Sequence, residues 1–257
     1  GHTDSAYEWT LMKIRQEVMV GVLAVDLLCA LASIVIFSIN IAKGVTPLWS
    51  VIFAACTVVA YIGLFFVCNF KVLSPGANDN LTACLMGIAI LKAMKDEGIE
   101  LEHTEVGVIL SGSEEAGLRG AKAWCEQHKG EFDDVPTWIY SFDTIHDPKF
   151  LGVNYRDLNA TVKADKEVSD SFMEAAKELG IPCNKTLVPP FGGATDSAAF
   201  AQAGFRATGI TALNHVLEDY YHTLKDSYDN LNKDCLADCY AISVRALENF
   251  DKKISNK

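Results

Sequence analysis

Residues 105–120 read EVGVILSGSEEAGLRG: an apolar run, then two adjacent glutamates, then a turn rich in glycine. The apolar run predicts a short buried strand over 105–111, and the helical spacing after it predicts a helix over 115–128. Strands that alternate with helices are typical of α/β proteins. This stretch therefore sets our expectation for the fold, and it places two carboxylates at the end of a strand.

The chain after residue 71 continues that alternation. We expect helices over 80–95, 167–179 and 232–253, and strands over 137–142, 184–188 and 206–211. This pattern favours an α/β sheet with helices on both faces, in which the carboxyl ends of the strands form the ligand crevice. Glu114, Glu115 and Asp143 follow apolar strands, so we expect their carboxylates at one rim of the sheet.

The first quarter of the chain has a different composition. Two apolar runs cover 18–42 and 47–70, and each is long enough to cross a hydrocarbon core of about 30 Å. The connector 43–46 contains a glycine, so the two runs are predicted to form an antiparallel helical hairpin. We interpret 17–70 as a transmembrane hairpin; a hairpin buried in a soluble core or in a dimer interface is the alternative. Asp26 is expected to face the partner helix or to lie near a helix end.

This hairpin interrupts the rest of the chain. Residues 1–16 and 71–257 are predicted to form one discontinuous globular domain around it. Three basic residues lie near the open end of the hairpin and one at its turn: Lys13, Arg15 and Lys71, and then Lys43. This asymmetry predicts that the globular part lies on the cytoplasmic side of a membrane. Because the sequence begins with Gly rather than Met, we expect a fragment of a longer protein, and a signal peptide remains open.

Charge and cysteine content argue against two classes of protein. The 257 residues carry a net charge of -11 and no cluster of Lys and Arg, which argues against nucleic acid as a partner. The eight cysteines are scattered rather than spaced as a disulfide framework or a metal knuckle, so we expect free thiols.

Acidic and histidine residues occur in five short pieces at strand ends or helix starts. These pieces are GHTDS at 1–5, GANDN at 76–80, SEEAG at 113–117, SFD at 141–143 and YHT at 221–223. Taken singly, each has an ordinary explanation: Asp79 suits a helix N-cap, and Glu114 with Glu115 suits a helix N-terminus. The five together, in this order, are not explained by these separate local roles.

The five pieces resemble the motifs of metallopeptidase family 28, the zinc aminopeptidases and glutamate carboxypeptidase-like enzymes. That family reads His-x-Asp, Gly-Ala-x-Asp-Asn, Glu-Glu-x-Gly-Leu-x-Gly, Asp and then His, and here the third motif reads EEAGLRG at 114–120. The resemblance covers 1–5 and about 71–250. It implies a zinc-exopeptidase-like fold with a mixed, mostly parallel sheet, here interrupted by an α-helical hairpin, and with N-terminal strands missing from this fragment.

The resemblance also implies a ligand set for two zinc ions. Asp79 would be shared by both ions, with His2 and Asp143 completing one site and Glu115 and His222 the other. Nitrogen and oxygen ligands without cysteine suit zinc, and manganese or cobalt could occupy the same set.

Two further roles follow from the resemblance. Glu114 is expected to be the general base, which takes a proton from the attacking water and passes it to the leaving amine. Asp4 is expected to accept a hydrogen bond from the ring of His2 and so fix its tautomer. The family also implies a cis peptide bond between Asp79 and Asn80.

The chain departs from the family pattern in two places. Residues 192–197 read GGATDS, where the family commonly has Gly-Gly-Ser-Asp-His, so Ser197 stands in place of a histidine. This leaves a substrate-pocket role for the loop open, and Asp196 is as well explained as an N-cap for the next helix. The second departure is spacing: His2 and Asp79 are 77 positions apart, whereas the family joins these ligands by a much shorter loop.

The expected function is exopeptidase activity on peptides, and an aminopeptidase is the leading hypothesis. A carboxypeptidase or dipeptidase of the same fold shares the metal set and is the first alternative. A glutaminyl cyclase is disfavoured, because a complete set of five ligands suggests two metals rather than one. A membrane-tethered binding domain without activity is the remaining alternative, and the intact set of five ligands together with Glu114 weighs against it.

Overall fold

The computed structural model describes residues 1–14, 16–190, 192–214 and 218–255. They form two compact units, which we call the sheet unit and the hairpin unit. The sheet unit contains Gly1–Ala6, Pro75–Glu218 and Asp226–Lys257, and the hairpin unit contains Tyr7–Ser74 and Asp219–Lys225. Arg15, one of the basic residues behind the expected topology, lies outside the described residues.

The secondary structure of the described residues alternates strands and helices after the first quarter of the chain. In chain order the elements are β1 Tyr7–Trp9, α1 Gln16–Lys43, α2 Leu48–Leu64, β2 Cys68–Leu73, α3 Thr82–Asp96, α4 Arg119–Gln127, β3 Trp138–Ile145, β4 Gly152–Asn154, β5 Arg156–Asp157, β6 Val162–Lys163, α5 Lys166–Leu179, β7 Asn184–Thr186, α6 Asp196–Gln202, β8 Arg206–Ala212 and α7 Lys233–Ser255.

The sheet unit is built on a four-stranded sheet with the order β3-β8-β4-β7. The pairs β3–β8 and β4–β7 are parallel, and β4–β8 is antiparallel. The prediction of a mixed, mostly parallel sheet is therefore confirmed. The long central strand β8 alternates its side chains between the two faces of the sheet, so Ala207 and Ile210 point in opposite directions.

Helices cover both faces of this sheet, as expected. On one face α3, α5 and α7 enclose a core that includes Phe172, Ile210 and Ile242, all fully buried. On the other face α4 and α6 enclose a smaller core that includes Ala121, Phe200 and Ala207. The two cores fix the carboxyl end of β3 between packed helices.

The opening stretch of the sequence folds differently from its prediction. All of 105–110 is described, yet it forms no strand, and only Ser111 makes an isolated parallel bridge, to His2. A strand forms only where a neighbouring strand offers hydrogen bonds along its length. Here residues 1–3 pair with Ser111 alone, through Gly1 and Thr3. The helix expected over 115–128 begins at Arg119, because Leu118 before it has a left-handed backbone (φ 59°).

The hairpin unit begins and ends on a short antiparallel ladder. Strands β1 and β2 pair with Trp9 opposite Cys68 and Glu8 opposite Asn69. Between them α1 and α2 pack against each other, joined by a turn in which Gly44 has a positive φ of 62°. A left-handed glycine after the last turn is the usual way to end a helix, and here it ends α1.

Helix α1 is long and apolar enough to cross a membrane. Its most apolar 18-residue window, in the span Glu17–Lys43, has a mean hydropathy of 2.6, and only 6% of that window is buried. Helix α2 is shorter than the run 47–70 suggested. It ends at Leu64, because the chain turns after it and enters β2 at Cys68. The apolar run predicted over 47–70 therefore forms a helix only as far as Leu64.

The buried side chains of the hairpin are mostly polar. In α1, Asp26 and Asn40 are 6% and 8% exposed, and in α2 Ser50 and Thr57 are 0% and 4% exposed. Asp26 and Asn40 are two heptads apart, and Ser50 and Thr57 are one heptad apart, so each pair lies on one face of its helix. Asp26 is therefore buried, and its expected position facing the partner helix remains a prediction.

Candidate metal centre

His2 is held in place by the bridge to Ser111. The Thr3 N–H donates to the carbonyl of Ser111 at 3.0 Å, and the Ser111 N–H donates to the carbonyl of Gly1 at 3.1 Å. The Cys84 thiol, in the first turn of α3, donates to the carbonyl of His2 at 3.1 Å. These contacts bury His2 almost completely and leave its ring pointing at carboxylates.

Asp79 lies in a short helical turn, Ala77–Leu81, that precedes α3. Gly76 begins the turn with a φ of 66°, and a Cβ there would lie 2.8 Å from the carbonyl oxygen of Asp79 and from Oγ of Ser5. Only glycine fits that position. The peptide bond between Asp79 and Asn80 is cis, as the resemblance implies.

Asn80 connects this turn to the sheet. Its Nδ2 donates to the carbonyl of Phe142 at 3.1 Å, and the N–H of Thr144 donates to its Oδ1 at 3.4 Å. Both partners flank Asp143, which lies inside β3 rather than after it, next to an irregularity in the β3–β8 ladder. The Thr144 hydroxyl donates to Oδ1 of Asp143 at 2.8 Å.

Glu114 and Glu115 are fixed through their backbone. Their N–H groups donate to the two carboxylate oxygens of Asp4, at 3.0 and 3.2 Å. The glycine of the same motif, Gly120, allows a close approach, since a Cβ there would lie 2.2 Å from the carbonyl oxygen of Gly112. The motif thus folds as a tight turn that presents both glutamates.

The Asp4 contact differs in detail from the expected one. Nδ1 of His2 lies 3.1 Å from the backbone oxygen of Asp4 and 3.5 Å from its carboxylate. The carboxylate makes its shorter hydrogen bonds with Glu114 and Glu115. Asp4 therefore connects the histidine segment to the glutamate turn.

Three of the predicted residues of the sheet unit converge on Nε2 of His2. It lies 3.3 Å from Oδ1 of Asp79, 3.8 Å from Oε2 of Glu114 and 3.9 Å from Oδ2 of Asp143. Ligand atoms of His2, Asp79 and Asp143 all lie within 4.8 Å of one another, and carboxylate oxygens of Asp79 and Glu115 are equally close. One buried space therefore holds a histidine and several carboxylates.

The pKa values of these groups reflect an excess of negative charge. Burial lowers the pKa of His2, but the hydrogen bond to Asp79 and the charge of Asp143 outweigh burial and raise it to about 11. Burial raises the pKa of Glu114, and the charge of Asp143 raises it further. Burial also raises the pKa of Asp143, together with the charge of Asp79. Such a cluster favours a bound positive charge.

The donor set fits a zinc ion. His2 offers a neutral imidazole nitrogen once it loses its proton, and Asp79 and Asp143 offer carboxylate oxygens, all within reach of one ion. The position of Glu114 just beside this group leaves a carboxylate free for other chemistry. The excess of buried carboxylates explains why a dication, and not only a proton, suits the space.

His222 belongs to the hairpin unit. Its ring stacks on Tyr221 at a centroid distance of 3.9 Å and meets Trp9 edge-on at 4.5 Å. Its carbonyl accepts a hydrogen bond from the N–H of Trp9 at 2.9 Å. Its expected role as a metal ligand remains a prediction from the family motif.

The loop 192–197 uses its polar residues differently from the expectation. Thr195, not Asp196, is the N-cap of α6, because its side chain accepts a hydrogen bond from the N–H of Ser197. The carboxylate of Asp196 instead accepts from the hydroxyl of Ser111, beside His2. The sequence pattern does not determine which of two adjacent residues, Thr195 or Asp196, caps the helix.

Two residues around the cluster were missed by the sequence analysis. Asn80 was noted only for its peptide bond, and Asp226 was not considered, although its carboxylate accepts hydrogen bonds from the N–H groups of Asn78 and Asp79. The acidic residue four positions after the histidine of the YHT piece was the available signal.

A mixed α/β sheet with a histidine, two aspartates and two glutamates gathered beside it defines a class of protein, the zinc-exopeptidase-like fold. The sequence model of peptidase family M28 matches residues 62–247. The chain belongs to peptidase family M28.

Solved structures share the fold. A zinc aminopeptidase from Bacillus subtilis, BSAP, is 22% identical with a TM-score of 0.55, and the match covers 69% of this chain and 43% of that one. LapB from Legionella pneumophila is 17% identical with a TM-score of 0.59, and the match covers 72% of this chain and 50% of that one. An aminopeptidase from Aneurinibacillus sp. strain AM-1 is 20% identical with a TM-score of 0.53, and the match covers 67% of this chain and 39% of that one.

At these identities the likeness concerns the fold. The chain spans half or less of the length of the structures it matches. No curated protein matches the sequence.

Proposed function

We propose that this chain is the catalytic part of a zinc exopeptidase that binds two zinc ions and removes amino-terminal residues from peptides. The observation that carries the proposal is the buried cluster of His2, Asp79 and Asp143, with Glu114 beside it. Membership in peptidase family M28 and the likeness of the fold to that of a zinc aminopeptidase from Bacillus subtilis support it.

The proposed ligands of one ion are His2, Asp79 and Asp143, and those of the other are Asp79, Glu115 and His222. The first set rests on the distances given above, and His222 rests on its place in the family motif. When bound, zinc polarises the scissile carbonyl and lowers the pKa of the attacking water. A shared Asp79 carboxylate reduces the repulsion between two nearby cations.

The protein's own contribution to the reaction is proton transfer by Glu114. Its carboxylate is 9% exposed, lies 3.8 Å from Nε2 of His2, and is anchored by the backbone hydrogen bond to Asp4. It takes one proton from the attacking water and delivers it to the nitrogen of the leaving amine as the C–N bond breaks. A fixed backbone keeps that carboxylate in reach of both positions.

The test of this role is Glu114→Gln, which keeps the shape and removes the base. We expect peptide hydrolysis to fall by about 10²- to 10⁴-fold while zinc content is unchanged. Glu126→Gln, at an exposed position of α4, is the matched control and should retain activity. Full activity of Glu114→Gln would contradict the assignment, and normal folding without zinc in the unmodified protein would favour a binding domain without activity.

Substrate class requires its own measurement. A panel of aminoacyl reporters and of peptides with free or blocked ends separates the candidates. Cleavage that needs a free amino terminus supports the aminopeptidase, and cleavage that needs a free carboxyl terminus supports a carboxypeptidase of the same fold.

We propose further that α1 and α2 insert into a membrane as a hairpin. The supporting pattern is inverted relative to a soluble protein: Asp26 and Asn40 are buried, whereas Leu28 and Ile41 are 65% and 81% exposed. Polar side chains that face a partner helix and apolar ones that face outward suit a lipid environment. In this proposal residues 17–70 are the membrane hairpin, and 1–16 with 71–257 form the catalytic domain.

Flotation with phosphatidylcholine vesicles tests insertion. The full chain should float with the vesicles and resist extraction at alkaline pH. A chain that remains soluble and monomeric without detergent would contradict insertion. Protease protection of sealed vesicles would then report the side, which we propose to be cytoplasmic because Lys71 lies beyond the open end and Lys43 alone lies at the turn.

A further inference from the structure

One carboxylate organises the backbone that carries Asp79. Three consecutive N–H groups donate to Asp226: that of Ala77 to its carbonyl oxygen at 3.1 Å, that of Asn78 to Oδ1 at 2.8 Å, and that of Asp79 to Oδ2 at 3.1 Å. The side chain of Asn78 donates to the same Oδ1 at 2.9 Å. Asp226 is fully buried and reaches across 147 positions of sequence to do this.

The turn Ala77–Leu81 needs an outside acceptor. Asp79 and Asn80 have non-helical backbone angles (φ -116° and -144°), so the regular hydrogen-bond pattern of a helix is broken there. A buried N–H without an acceptor costs about 1–3 kcal/mol, and a charged acceptor binds an N–H more strongly than a neutral one. Asp226 satisfies the N–H groups on the amino-terminal side of this break.

We propose that Asp226 is a positioning residue that sets the zinc affinity of the cluster by fixing the backbone of Asp79. The inference rests on the proposed function, because it assumes that Asp79 binds zinc. Oδ1 of Asp79 lies 3.3 Å from Nε2 of His2, and this approach depends on where the turn holds its Cα. Asn80 anchors the other side of Asp79 to β3, so Asp226 and Asn80 together clamp the ligand.

Both oxygens of Asp226 are acceptors in this arrangement. An asparagine of the same shape keeps one acceptor and turns an NH2 group toward an N–H, so one of the hydrogen bonds to 78–79 is replaced by a donor facing a donor. Asp226→Asn is therefore a small change in volume and a large change in the fixing of Asp79.

The experiment measures the zinc dissociation constant of the full chain in detergent, by competition with a chromogenic chelator. We expect Asp226→Asn to weaken binding by about tenfold or more, the range typical of residues that orient a metal ligand. The matched control is Asp165→Asn at the N-terminus of α5, where a carboxylate also accepts a backbone N–H, that of Val168. This control should lose some thermal stability and keep its zinc affinity within about twofold.

The outcomes separate the two proposals. A purely structural role predicts a lower melting temperature of the metal-free protein with an unchanged dissociation constant, and that result would overturn the positioning role while leaving the proposed function intact. If the unmodified chain binds no zinc, both proposals fail. If Asp226→Asn does not fold, Asn78→Ala removes one donor to Oδ1 and leaves the carboxylate. It should weaken zinc binding in the same direction but less, and unchanged affinity there would overturn the inference.

Discussion

In the sheet unit Phe172 and Ile210 are fully buried, whereas in the hairpin unit Leu28 and Ile41 are mostly exposed. The two units do not simply exchange the positions of polar and apolar side chains. Both units bury carboxylates, Asp143 in one and Asp26 in the other, but Asp143 has several charged neighbours, whereas Asp26 belongs to an apolar helix. Burial of a carboxylate therefore does not by itself indicate a functional site. The charged groups around the carboxylate distinguish a functional site from a structural position.

The largest expected effect comes from removing a carboxylate from the buried cluster of the sheet unit. Asp143→Ala removes a proposed metal ligand, and the loss of several kcal/mol of transition-state stabilisation should lower kcat/KM by at least about 10³-fold. Zinc content, measured on the purified protein, should fall with it. Asp134→Ala, an exposed change in the same unit, should alter neither. Retained activity with retained zinc would mean that Asp143 is not a metal ligand.

Core packing provides the next test of the comparison. Phe172→Ala empties a fully buried site in α5 and should lower the free energy of unfolding of the sheet unit by about 3–5 kcal/mol. Leu28→Ala in α1 removes an exposed side chain and should change stability in detergent by less than about 0.5 kcal/mol. Chemical denaturation measures both. Equal losses would show that Leu28 is packed against protein in the working state.

Two neighbouring positions of α1 sharpen the contrast within the hairpin. Val25 is exposed and Asp26 is buried. If the exposed face meets lipid, Val25→Asp should cost about 3 kcal/mol of insertion free energy, and Asp26→Leu should favour insertion by a similar amount. The membrane-bound fraction in a translation–insertion assay measures both. An unchanged fraction for Val25→Asp would show that this face stays in water.

The smallest expected effect concerns a surface charge of the sheet unit. The hydrogen bond from Arg206 holds the pKa of Asp165 below its ordinary value, since it favours the carboxylate. A lowered folded-state pKa adds stability above the unfolded-state pKa of about 3.9, and this stability is lost as pH falls through the folded-state pKa. Asp165→Asn should therefore cost less than about 1 kcal/mol at neutral pH, because Asn caps a helix about as well as Asp and only the partly exposed ion pair with Arg206 is lost.

Urea unfolding at a series of pH values checks this prediction. The two proteins should converge as the medium becomes acidic, because the carboxylate of the unmodified protein is then protonated. A difference that stays constant with pH would assign the effect to packing rather than to charge.

The sequence was sufficient where one short motif determines local geometry. The alternation of strands and helices predicted the sheet and its covering helices, and six of the predicted site residues, those from His2 to Asp143, lie together in the sheet unit. It was insufficient where a structure depends on distant partners. The segment 105–110 has the composition of a strand, but strand formation depends on the neighbouring backbone, which composition does not specify.

The same reason explains the missed residues. Asp226 acts through hydrogen bonds to Asn78 and Asp79, and its place four positions after His222 marks it as a candidate without specifying which distant turn it meets. The shortened α2 has a similar cause, because pairing of β2 with β1 removes residues that are apolar enough to continue a helix.

The ladder between β1 and β2 has a consequence for how such a protein can change over time. The N–H of Thr10 donates to the carbonyl of Val67, and Trp9 lies opposite Cys68, so the chain leaves and returns at adjacent positions. A two-residue hairpin turn could therefore replace residues 10–67 and join the two strands without changing the path of the rest of the backbone. Each doubling of such an excursion costs only about 0.6 kcal/mol of closure entropy. Versions of this protein with and without the helical hairpin would thus differ by one insertion at one point.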